Sequence, residues 1–349
     1  MTKYFCLFLG FCIFSLYLCS EITKIAMIYV SLPDNEVRRL SFYLALEEYV
    51  ARQLAPADYF FMWQVEPSVI FGRNQLIENE VNLDFCRSHQ IQMYRRKSGG
   101  GCVYADMKNV MFSYITADDQ VGFTFNRYMS MVVLMLQRLG IDAWGTGRND
   151  VMIGDKKVSG TAFYKIPGRS IVHGTMLYDT DMINMVGSIT PSNAKLLSKG
   201  IVSVRQRIAL LKDYISLTLD EFKDYVRNSL CDEEIMLTAN DIRSVEEIEK
   251  DYLSDEFIFG NNPHYTLVKQ RRIEHVGDFE ARITLKNGII QRVNLMGDFL
   301  LVGDLDKGLL DKLRGLPLTQ EALRRRLPDR IDDIVMNLMT EDFVRLLTE

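Results

Sequence analysis

Three consecutive glycines at positions 99–101 stand between two segments that have the composition of β-strands. Glycine weakens regular structure, but it lets backbone N–H groups approach another molecule closely. Successive N–H groups can form a concavity that binds an anion, and Arg95 and Arg96 just before it would add donors suited to phosphate or carboxylate. On a strand the two arginines point to opposite faces, so only one can serve a given pocket. RRKSGGGCVYAD therefore predicts strand, loop and strand, with a loop that either binds an anion or is only a flexible connection.

Composition and charge narrow the class of protein. The chain has 349 residues, 48% hydrophobic and 25% charged, which is ordinary for globular proteins and predicts about two domains. Its net charge of -5 argues against a nucleic-acid partner. Four histidines and the lack of a cysteine pair at zinc spacing argue against a structural metal. Beyond residue 19 the cysteines are scattered, which is untypical of a disulfide framework and favours the reducing cytoplasm: Cys86, Cys102 and Cys231.

The N-terminus carries an apolar segment at residues 5–19, which follows Lys3 and resembles the core of a signal peptide. This segment is shorter than the roughly 20 apolar residues that a membrane-spanning helix needs, and no small-residue cleavage site follows it. Two interpretations stay open. Residues 1–26 are either a signal-like extension or a miscalled start, with translation beginning at Met27. A membrane partner is not expected.

Strand and helix patterns alternate over residues 27–262, and the spacing of the strands is typical of antiparallel hairpins. One helix is predicted to have Asp34 or Asn35 as its N-cap and to place Val37, Leu40 and Leu44 on one face. The sequence therefore predicts a large α+β domain with mixed, mostly antiparallel sheets.

A cluster of turn residues, Asn261, Asn262 and Pro263, marks the boundary between this domain and residues 263–349. That segment alternates with period two around Asn287-Gly288, a strong hairpin signal, and continues with three amphipathic helical patterns. It is predicted to be a small α+β domain.

A second motif, GRNDVMIGDKKVSGTA at 147–162, reads as a hairpin with two adjacent lysines. Lys156 and Lys157 must face opposite sides of the strand. A lysine that faces a pocket can polarise a carboxylate or an acyl phosphate, although most lysines are simply solvated. Asn149 and Asp150, just before the hairpin, are suited to a base edge and to Mg²⁺.

Two further segments carry weaker signals. HGTMLYD places His173 on a strand, where a single histidine is more often structural than functional. AKLLSKGIVSVRQRI carries Lys195 and Lys199, and it is either the solvated start of a helix or a loop that closes over phosphates.

Taken together and in this order, RRKSGGGCVYAD, GRNDVMIGDKKVSGTA, HGTMLYDTDM and KGIVSVRQR resemble the lipoate–protein ligases of the biotin/lipoate ligase superfamily. The resemblance runs from about Met27 to the end of the chain and is to the two-domain type. It implies a biotin/lipoate ligase-like catalytic domain at 27–262 and a C-terminal accessory domain at 263–349.

The resemblance also implies a reaction. ATP and lipoate would form lipoyl-AMP and pyrophosphate with the help of Mg²⁺. The lipoyl group would then pass to a specific lysine of an apo carrier domain, either of a 2-oxoacid dehydrogenase complex or of the glycine cleavage system.

Site residues follow from the same resemblance. Lys157 would be the catalytic residue, and Asp150 would hold the metal. The ATP site would comprise Arg96, Gly101, Cys102, Val103, Tyr104, Asn149 and Lys157. The lipoate site would comprise Arg96, Ser98, Gly99, Gly100, Lys157 and His173. Val103 and Phe112 would help to enclose the aliphatic chain.

This sequence departs from the family pattern at two positions. Ala105 stands where the family usually has histidine, and Cys102 stands where alanine is common. Cys102 raises an alternative, since related octanoyltransferases form a thioester on a cysteine without ATP. Their cysteine lies nearer the lysine motif, however, where AWGTGRND has none. A non-catalytic module that binds lipoyl-AMP or a carrier is a further alternative, and a biotin ligase fits less well because its GRGR-type loop is missing.

Overall fold

The computed structural model describes residues 27–75, 77–117, 120–189, 207–259, 267–286 and 288–349. Three features of the sequence lie outside these residues: the apolar extension at 1–26, the segment with Lys195 and Lys199, and the boundary predicted at 262–263. The polypeptide otherwise forms three sheets with helices on their faces.

The largest sheet has eight strands in the order β11-β1-β2-β6-β10-β9-β8-β7. They are β1 (Met27–Ser31), β2 (Asp58–Trp63), β6 (Val110–Thr116), β7 (Ala143–Gly145), β8 (Asp150–Ile153), β9 (Lys156–Ile166), β10 (Arg169–Met176) and β11 (Glu233–Met236). Strand β1 pairs in parallel with both neighbours, and every other pairing in this sheet is antiparallel. The predicted mixed, mostly antiparallel α+β fold is therefore confirmed.

The remaining strands form two smaller sheets. The first has the order β4-β3-β5 and comprises β3 (Ser68–Phe71), β4 (Gln92–Arg95) and β5 (Val103–Ala105). The second is an antiparallel sheet of β12 (Leu267–Ile273), β13 (Gly277–Lys286) and β14 (Ile289–Gly297). Strands β13 and β14 form the hairpin expected near position 288, and Gly288 has the positive φ of 75° that such a turn requires.

The helices of the described ranges are α1 (Leu40–Gln53), α2 (Ile77–Glu80), α3 (Leu83–Ser88), α4 (Val121–Arg138), α5 (Met182–Ser188), α6 (Leu219–Leu230), α7 (Ala239–Leu253), α8 (Asp255–Phe259), α9 (Leu305–Gly308), α10 (Gln320–Arg326) and α11 (Thr340–Thr348). Short 3₁₀ turns lie at Leu211–Asp213 and Leu310–Leu313. None of the helices in the part of the chain that the structure describes is long and apolar enough to span a bilayer.

The eight-stranded sheet is covered on both faces because its strands alternate apolar side chains between two cores. Along β2, Tyr59 and Phe61 pack with α1 and α7, whereas Phe60 packs on the opposite side with α4 and α6. This alternation is the period-two pattern of a strand that is buried on both faces. The accessory sheet β12–β14 has a separate core, which includes Ile283 and Phe343.

Helix α1 begins later than the sequence predicts, and the reason is local. The Asp34 carboxylate accepts the backbone N–H of Glu36 and binds the Arg38 guanidinium, so its side chain stabilises a turn instead of a helical N-terminus. Val37, predicted to lie on the buried face, is 53% exposed. The helix that follows is buried along nearly its whole length and places two glutamates, Glu47 and Glu48, in the protein interior.

Helix α6 begins with a capping box that can be tested directly. The Thr218 hydroxyl accepts the Glu221 N–H at 3.3 Å, and the Glu221 carboxylate accepts the Thr218 N–H at 2.8 Å. We expect Thr218→Ala to lower the free energy of unfolding by about 1 kcal/mol, since an N–H at the helix start loses its acceptor. Urea denaturation followed by circular dichroism measures this change, and Thr218→Ser should stay close to wild type. Equal losses in both variants would contradict the assignment of the cap.

Candidate active site

The triple-glycine loop connects β4 to β5 and folds tightly against the end of β3. A Cβ atom at Gly72 would overlap the carbonyl oxygen of Gly100. Gly100 itself has a φ of 88°, a conformation that favours glycine. The Arg73 N–H also donates to the Ser98 carbonyl at 2.9 Å. The glycines are therefore required by close backbone contact, and the loop has a defined shape.

Arg96 is the internal support of this loop. Its side chain is buried, and its guanidinium donates to the Ser98 hydroxyl at 2.9 Å and to the Ile70 carbonyl at 3.1 Å. It also donates to the carbonyls of Gly99 at 2.6 Å and Gly101 at 2.8 Å. Burial lowers the pKa of Arg96 to about 10, so the group is still positively charged at neutral pH. One arginine thus fixes the carbonyl groups of the loop and places a positive charge beneath it.

Arg95 lies on the opposite face of β4. It stacks over the Phe71 ring at 4.6 Å and donates to the carbonyls of Gly72, Arg73 and Gln75. It lines a separate cleft of about 510 Å³, next to the accessory sheet. The two arginines therefore serve different surfaces, as strand alternation predicts.

A cavity of about 90 Å³ lies against the loop on the Arg96 side. Its apolar lining consists of Leu44, Trp63, Ile70, Val103, Met111 and Ala162. Its polar lining consists of Arg96, Asn149, Lys157, Thr161, His173 and Thr175, and Gly100, Gly101, Cys102, Gly160 and Gly174 complete it. A cavity lined by both apolar and polar groups suits a ligand that has a hydrocarbon chain and an anionic head.

Lys157 reaches the cavity from the hairpin of β8 and β9. Its amine lies 2.7 Å from a carboxylate oxygen of Asp150, and both side chains are about one-third exposed or less. A Cβ atom at Gly160 would lie only 2.7 Å from this amine, so the missing side chain makes room for it. The neighbouring Lys156 is exposed on the other face. The sequence motif KKVSG thus places one lysine beside the glycine loop and one in solvent.

Several of the predicted site residues do not line the cavity with their side chains. Ser98 is fully buried and bonds to His173, and Gly99 packs against the Phe299 carbonyl. The Tyr104 side chain lies in the core beside the small sheet, because β5 points it away from the cavity. Phe112 lies in the core on the α4 side of the large sheet. It therefore does not line the cavity, because alternation along β6 turns it to the other face.

The structure also places residues at the site that the sequence did not single out. Glu47 is fully buried beneath the cavity, and its carboxylate accepts the N–H of His173. The available signal was two consecutive glutamates in the otherwise apolar helix LALEEYV. Ala105, which stands where the family usually has histidine, is fully buried and packs in the hydrophobic core.

The accessory domain contacts the loop from the opposite side. The Phe299 carbonyl accepts the Gly100 N–H at 2.9 Å, and Arg148 donates to the Asp298 carbonyl at 3.2 Å. Leu300 inserts into the core of the large sheet. One amide of the predicted anion site is therefore already bonded within the protein. No sequence signal indicated this contact, since it depends on how two separate cores pack.

Comparisons with known proteins agree on one family. Residues 40–231 match the family model of the lipoyl protein ligase A/B catalytic domain, and residues 262–347 match that of the bacterial lipoate protein ligase C-terminus. Lipoate–protein ligase 1 of Staphylococcus aureus is 34% identical over 302 residues, which are 83% of this chain and 92% of that protein.

Solved structures give the same result. LipL1 of P. falciparum, in complex with lipoate, superposes with a TM-score of 0.70 over 92% of this chain and 97% of its own, at 20% identity, which establishes the fold. The bipartite lipoate protein ligase of Thermoplasma acidophilum, studied with its E2 lipoyl domain, superposes with a TM-score of 0.60 at 25% identity. That match covers 70% of this chain and 100% of the archaeal chain. The chain is therefore a ligase that belongs to the lipoate–protein ligase family.

Proposed function

We propose that this protein activates lipoate with ATP and transfers the lipoyl group to a carrier lysine. In the first step, a lipoate carboxylate oxygen attacks the α-phosphorus of ATP, the bond to the bridging oxygen breaks, and pyrophosphate leaves. In the second step, the neutral amine of a carrier lysine attacks the carbonyl carbon of lipoyl-AMP. The bond to the AMP oxygen then breaks, the amine loses a proton, and an amide remains.

One observation carries this proposal: the Lys157 amine and the triple-glycine loop meet at the same cavity. Joining a carboxylate to a phosphate brings two anions together, and fixed positive groups must offset their charge. Lys157 supplies a partly exposed cation, and Arg96 supplies a buried one beneath the loop. The apolar lining residues, Leu44 and Trp63 among them, would hold the hydrocarbon chain.

The remaining roles follow from position. Gly101, Cys102, Val103 and Asn149 line the cavity and would contact the nucleotide, whereas Tyr104 would contribute only its backbone. His173 and Gly100 would contact the lipoyl group. Because one N–H cannot serve two acceptors fully, a phosphate that bonds to Gly100 has to displace the Phe299 carbonyl. ATP binding is therefore expected to loosen the contact of the accessory domain.

Mg²⁺ would be held by Asp150 together with the phosphate oxygens of ATP. Among the described residues, no group of three His, Cys, Asp or Glu side chains could hold a metal ion. A single carboxylate with substrate phosphates is the usual way in which proteins bind Mg²⁺, so Asp150 fits this role. The ion would neutralise charge on the phosphates.

The partners would be apo carrier domains of 2-oxoacid dehydrogenase complexes and the carrier protein of the glycine cleavage system. The E2 lipoyl domain paired with the archaeal relative supports the first class. The reaction would occur in the cytoplasm. Cys86, Cys102 and Cys231, the cysteines within the described ranges, form no disulfide, which suits a reducing compartment.

The test separates the two half-reactions. Purified protein is incubated with lipoate, ATP and Mg²⁺, and pyrophosphate release is measured before and after an apo carrier domain is added. We expect Lys157→Ala to slow lipoyl-AMP formation by about 10²- to 10³-fold, the typical cost of losing one group that stabilises developing charge. Lys156→Ala is the matched control, since it removes an adjacent lysine that faces solvent, and it should stay close to wild type.

Two outcomes would contradict the proposal. The function would be wrong if wild-type protein released no pyrophosphate and added no lipoyl mass to an active carrier. The role of Lys157 would be wrong if both lysine variants formed lipoyl-AMP at the wild-type rate.

Asp150 can be tested through the metal. We expect Asp150→Asn to raise the Mg²⁺ concentration needed for half-maximal adenylation by about tenfold, since a neutral amide is a weaker ligand for a hard cation. The measurement is a Mg²⁺ titration at saturating ATP and lipoate. If the variant loses rate without any shift in the Mg²⁺ titration, Asp150 serves only as the ion-pair partner of Lys157.

A cysteine-dependent acyltransferase is the second candidate, because Cys102 lines the cavity. The match to the C-terminus of lipoate protein ligases favours the ATP-dependent reaction. We expect Cys102→Ser to keep adenylation within about twofold of wild type, because the backbone N–H is what the loop would contribute. Acyl transfer between carriers without ATP, abolished by Cys102→Ser, would instead establish the acyltransferase.

A further inference from the structure

A continuous chain of hydrogen bonds runs from the glycine loop to Glu47. The Arg96 Nε donates to the Ser98 Oγ at 2.9 Å, and the Ser98 Oγ lies 2.7 Å from the His173 Nε2. The His173 Nδ1 lies 2.9 Å from one carboxylate oxygen of Glu47 and 3.0 Å from the other. All four side chains are buried. The chain therefore links the support of the loop to a carboxylate on α1.

A second chain of hydrogen bonds ends at the same carboxylate. The indole N–H of Trp63 donates to the Ser113 Oγ at 2.9 Å, and Ser113 donates to a Glu47 oxygen at 2.6 Å. Trp63 lines the cavity with an apolar side chain, and Arg96 and His173 line it with polar ones. Glu47 is thus the common acceptor for both walls of the cavity.

The direction of every bond follows from the two ends of the chain. Arginine can only donate, and an ionised carboxylate can only accept. Ser98 therefore accepts from Arg96, and the Glu47 carboxylate accepts the N–H on Nδ1 of His173. In a neutral imidazole Nε2 then carries no proton, so Ser98 donates to it. The indole N–H of Trp63 fixes the Ser113 hydroxyl in the same way. Only an acceptor at position 47 is consistent with both chains.

The order Ser98–His173–Glu47 resembles a nucleophilic triad, but two observations argue against that use. Ser98 is fully buried and does not line the cavity, so a substrate cannot reach its oxygen. A buried guanidinium also donates to the same oxygen, which withdraws electron density from it. The arrangement fits an orienting role.

The neighbouring glutamate, Glu48, has different partners from Glu47, which supports a separate orienting role for Glu47. Glu48 pairs with Lys97 and Arg52 and accepts a hydrogen bond from Tyr252, so it is compensated independently. The titratable side chains around this pair include Tyr164, whose ring centroid lies 6.1 Å from that of His173. Tyr128 and Tyr252 also lie near Glu47: burial is the larger cause that raises their pKa values, and the charge of Glu47 adds to it. Arg96, three hydrogen bonds away along this chain, is the linked cation whose positive charge interacts with the charge of Glu47.

We propose that Glu47 is a positioning residue for lipoate activation: it fixes the tautomer of His173 and thereby the glycine loop, and it orients Trp63 through Ser113. This inference rests on the proposed function of the site. It assigns Glu47 no contact with the reacting atoms. The loss of its charge should disturb the loop that meets the phosphate and the wall that meets the hydrocarbon chain.

The direct test is a spectroscopic measurement on Glu47→Gln. This substitution keeps the shape but turns one acceptor into a donor that opposes the N–H of His173. ¹⁵N NMR of the histidine rings, with the His173 signals identified by comparison with His173→Gln, should show the proton on Nδ1 in wild type. In Glu47→Gln we expect it to move to Nε2. The same tautomer in both proteins would overturn the inference.

The kinetic test uses Glu249→Gln as the matched control. Glu249 is another buried glutamate, and it accepts a hydrogen bond from Ser41 at 2.5 Å and pairs with Arg39, away from the cavity. We expect Glu47→Gln to lower kcat/KM for pyrophosphate release by about 10- to 100-fold, the cost of a small misplacement of catalytic groups. Glu249→Gln should lose stability but stay close to wild type in rate. Equal rates in the two variants would overturn the inference.

Two further variants separate the chains and keep the test decisive if Glu47→Gln does not fold. Ser98→Ala interrupts only the loop branch and should lower kcat for adenylation. Ser113→Ala interrupts only the Trp63 branch and should raise KM for lipoate with little change in kcat. Loss of the same parameter in both variants would contradict the two-branch assignment.

Failure of this inference can be told apart from failure of the proposed function. If wild-type protein forms lipoyl-AMP and the Glu47 and Ser98 variants do so equally well, only the inference is wrong. If wild-type protein forms none, the proposed function is wrong, and the tautomer measurement still tests the chain of bonds.

Discussion

The burial of the Arg96 guanidinium inside the triple-glycine loop is the interaction on which the site depends. An unpaired buried charge is costly, so the loop must surround it with acceptors. The carbonyls of Ile70, Gly99 and Gly101 and the hydroxyl of Ser98 do so. Side chains at 99 and 100 would prevent this wrapping, because Gly99 touches the accessory domain and Gly100 needs a positive φ. The glycines and the arginine therefore form one structural unit, and this unit supplies Arg96, Gly100 and Gly101 to the lining of the cavity.

The rest of the site follows from strand alternation around that unit. Strand β4 points Arg95 to one cleft and Arg96 to the other, and β9 points Lys156 to solvent and Lys157 to the cavity. In both pairs the sequence specifies two like charges, and the pleat of the strand separates them. The cavity thus obtains cations from two strands while each partner residue serves a different surface.

Local sequence patterns predicted much of the fold and several site residues. The features that they did not predict depend mostly on contacts between residues far apart in the chain. The hairpins at 154 and 288 follow from turn chemistry within a few residues, so the sequence was sufficient for them. Helix α1 begins later than predicted because the Asp34 side chain accepts a hydrogen bond from the backbone of its own turn. Hydrophobic periodicity does not show that such a turn competes with the start of a helix. The sequence did not predict Glu47 and Ser113 as site residues, because their partners are distant in the chain. Glu47 is 126 residues from His173, and Ser113 is 66 residues from Glu47. A buried carboxylate is informative only once its partners are known, and the sequence alone does not name them.

The contact between Phe299 and Gly100 connects these observations. The accessory domain supplies a carbonyl, which is an acceptor, to a loop built to present donors. Without such an acceptor, an inward-facing N–H would be left unsatisfied, at a cost of about 1–3 kcal/mol. The Gly100 N–H is therefore satisfied within the protein. Under the proposed function, a phosphate would replace the Phe299 carbonyl as its acceptor with little net loss of hydrogen bonding. Asp298 lies beside Gly101 and is also linked to Arg148, so the segment that supplies the Phe299 carbonyl also places a carboxylate next to the loop and pairs it with a cation. The position of the accessory domain and the hydrogen bonding of the glycine loop are thus coupled through residues 298 and 299.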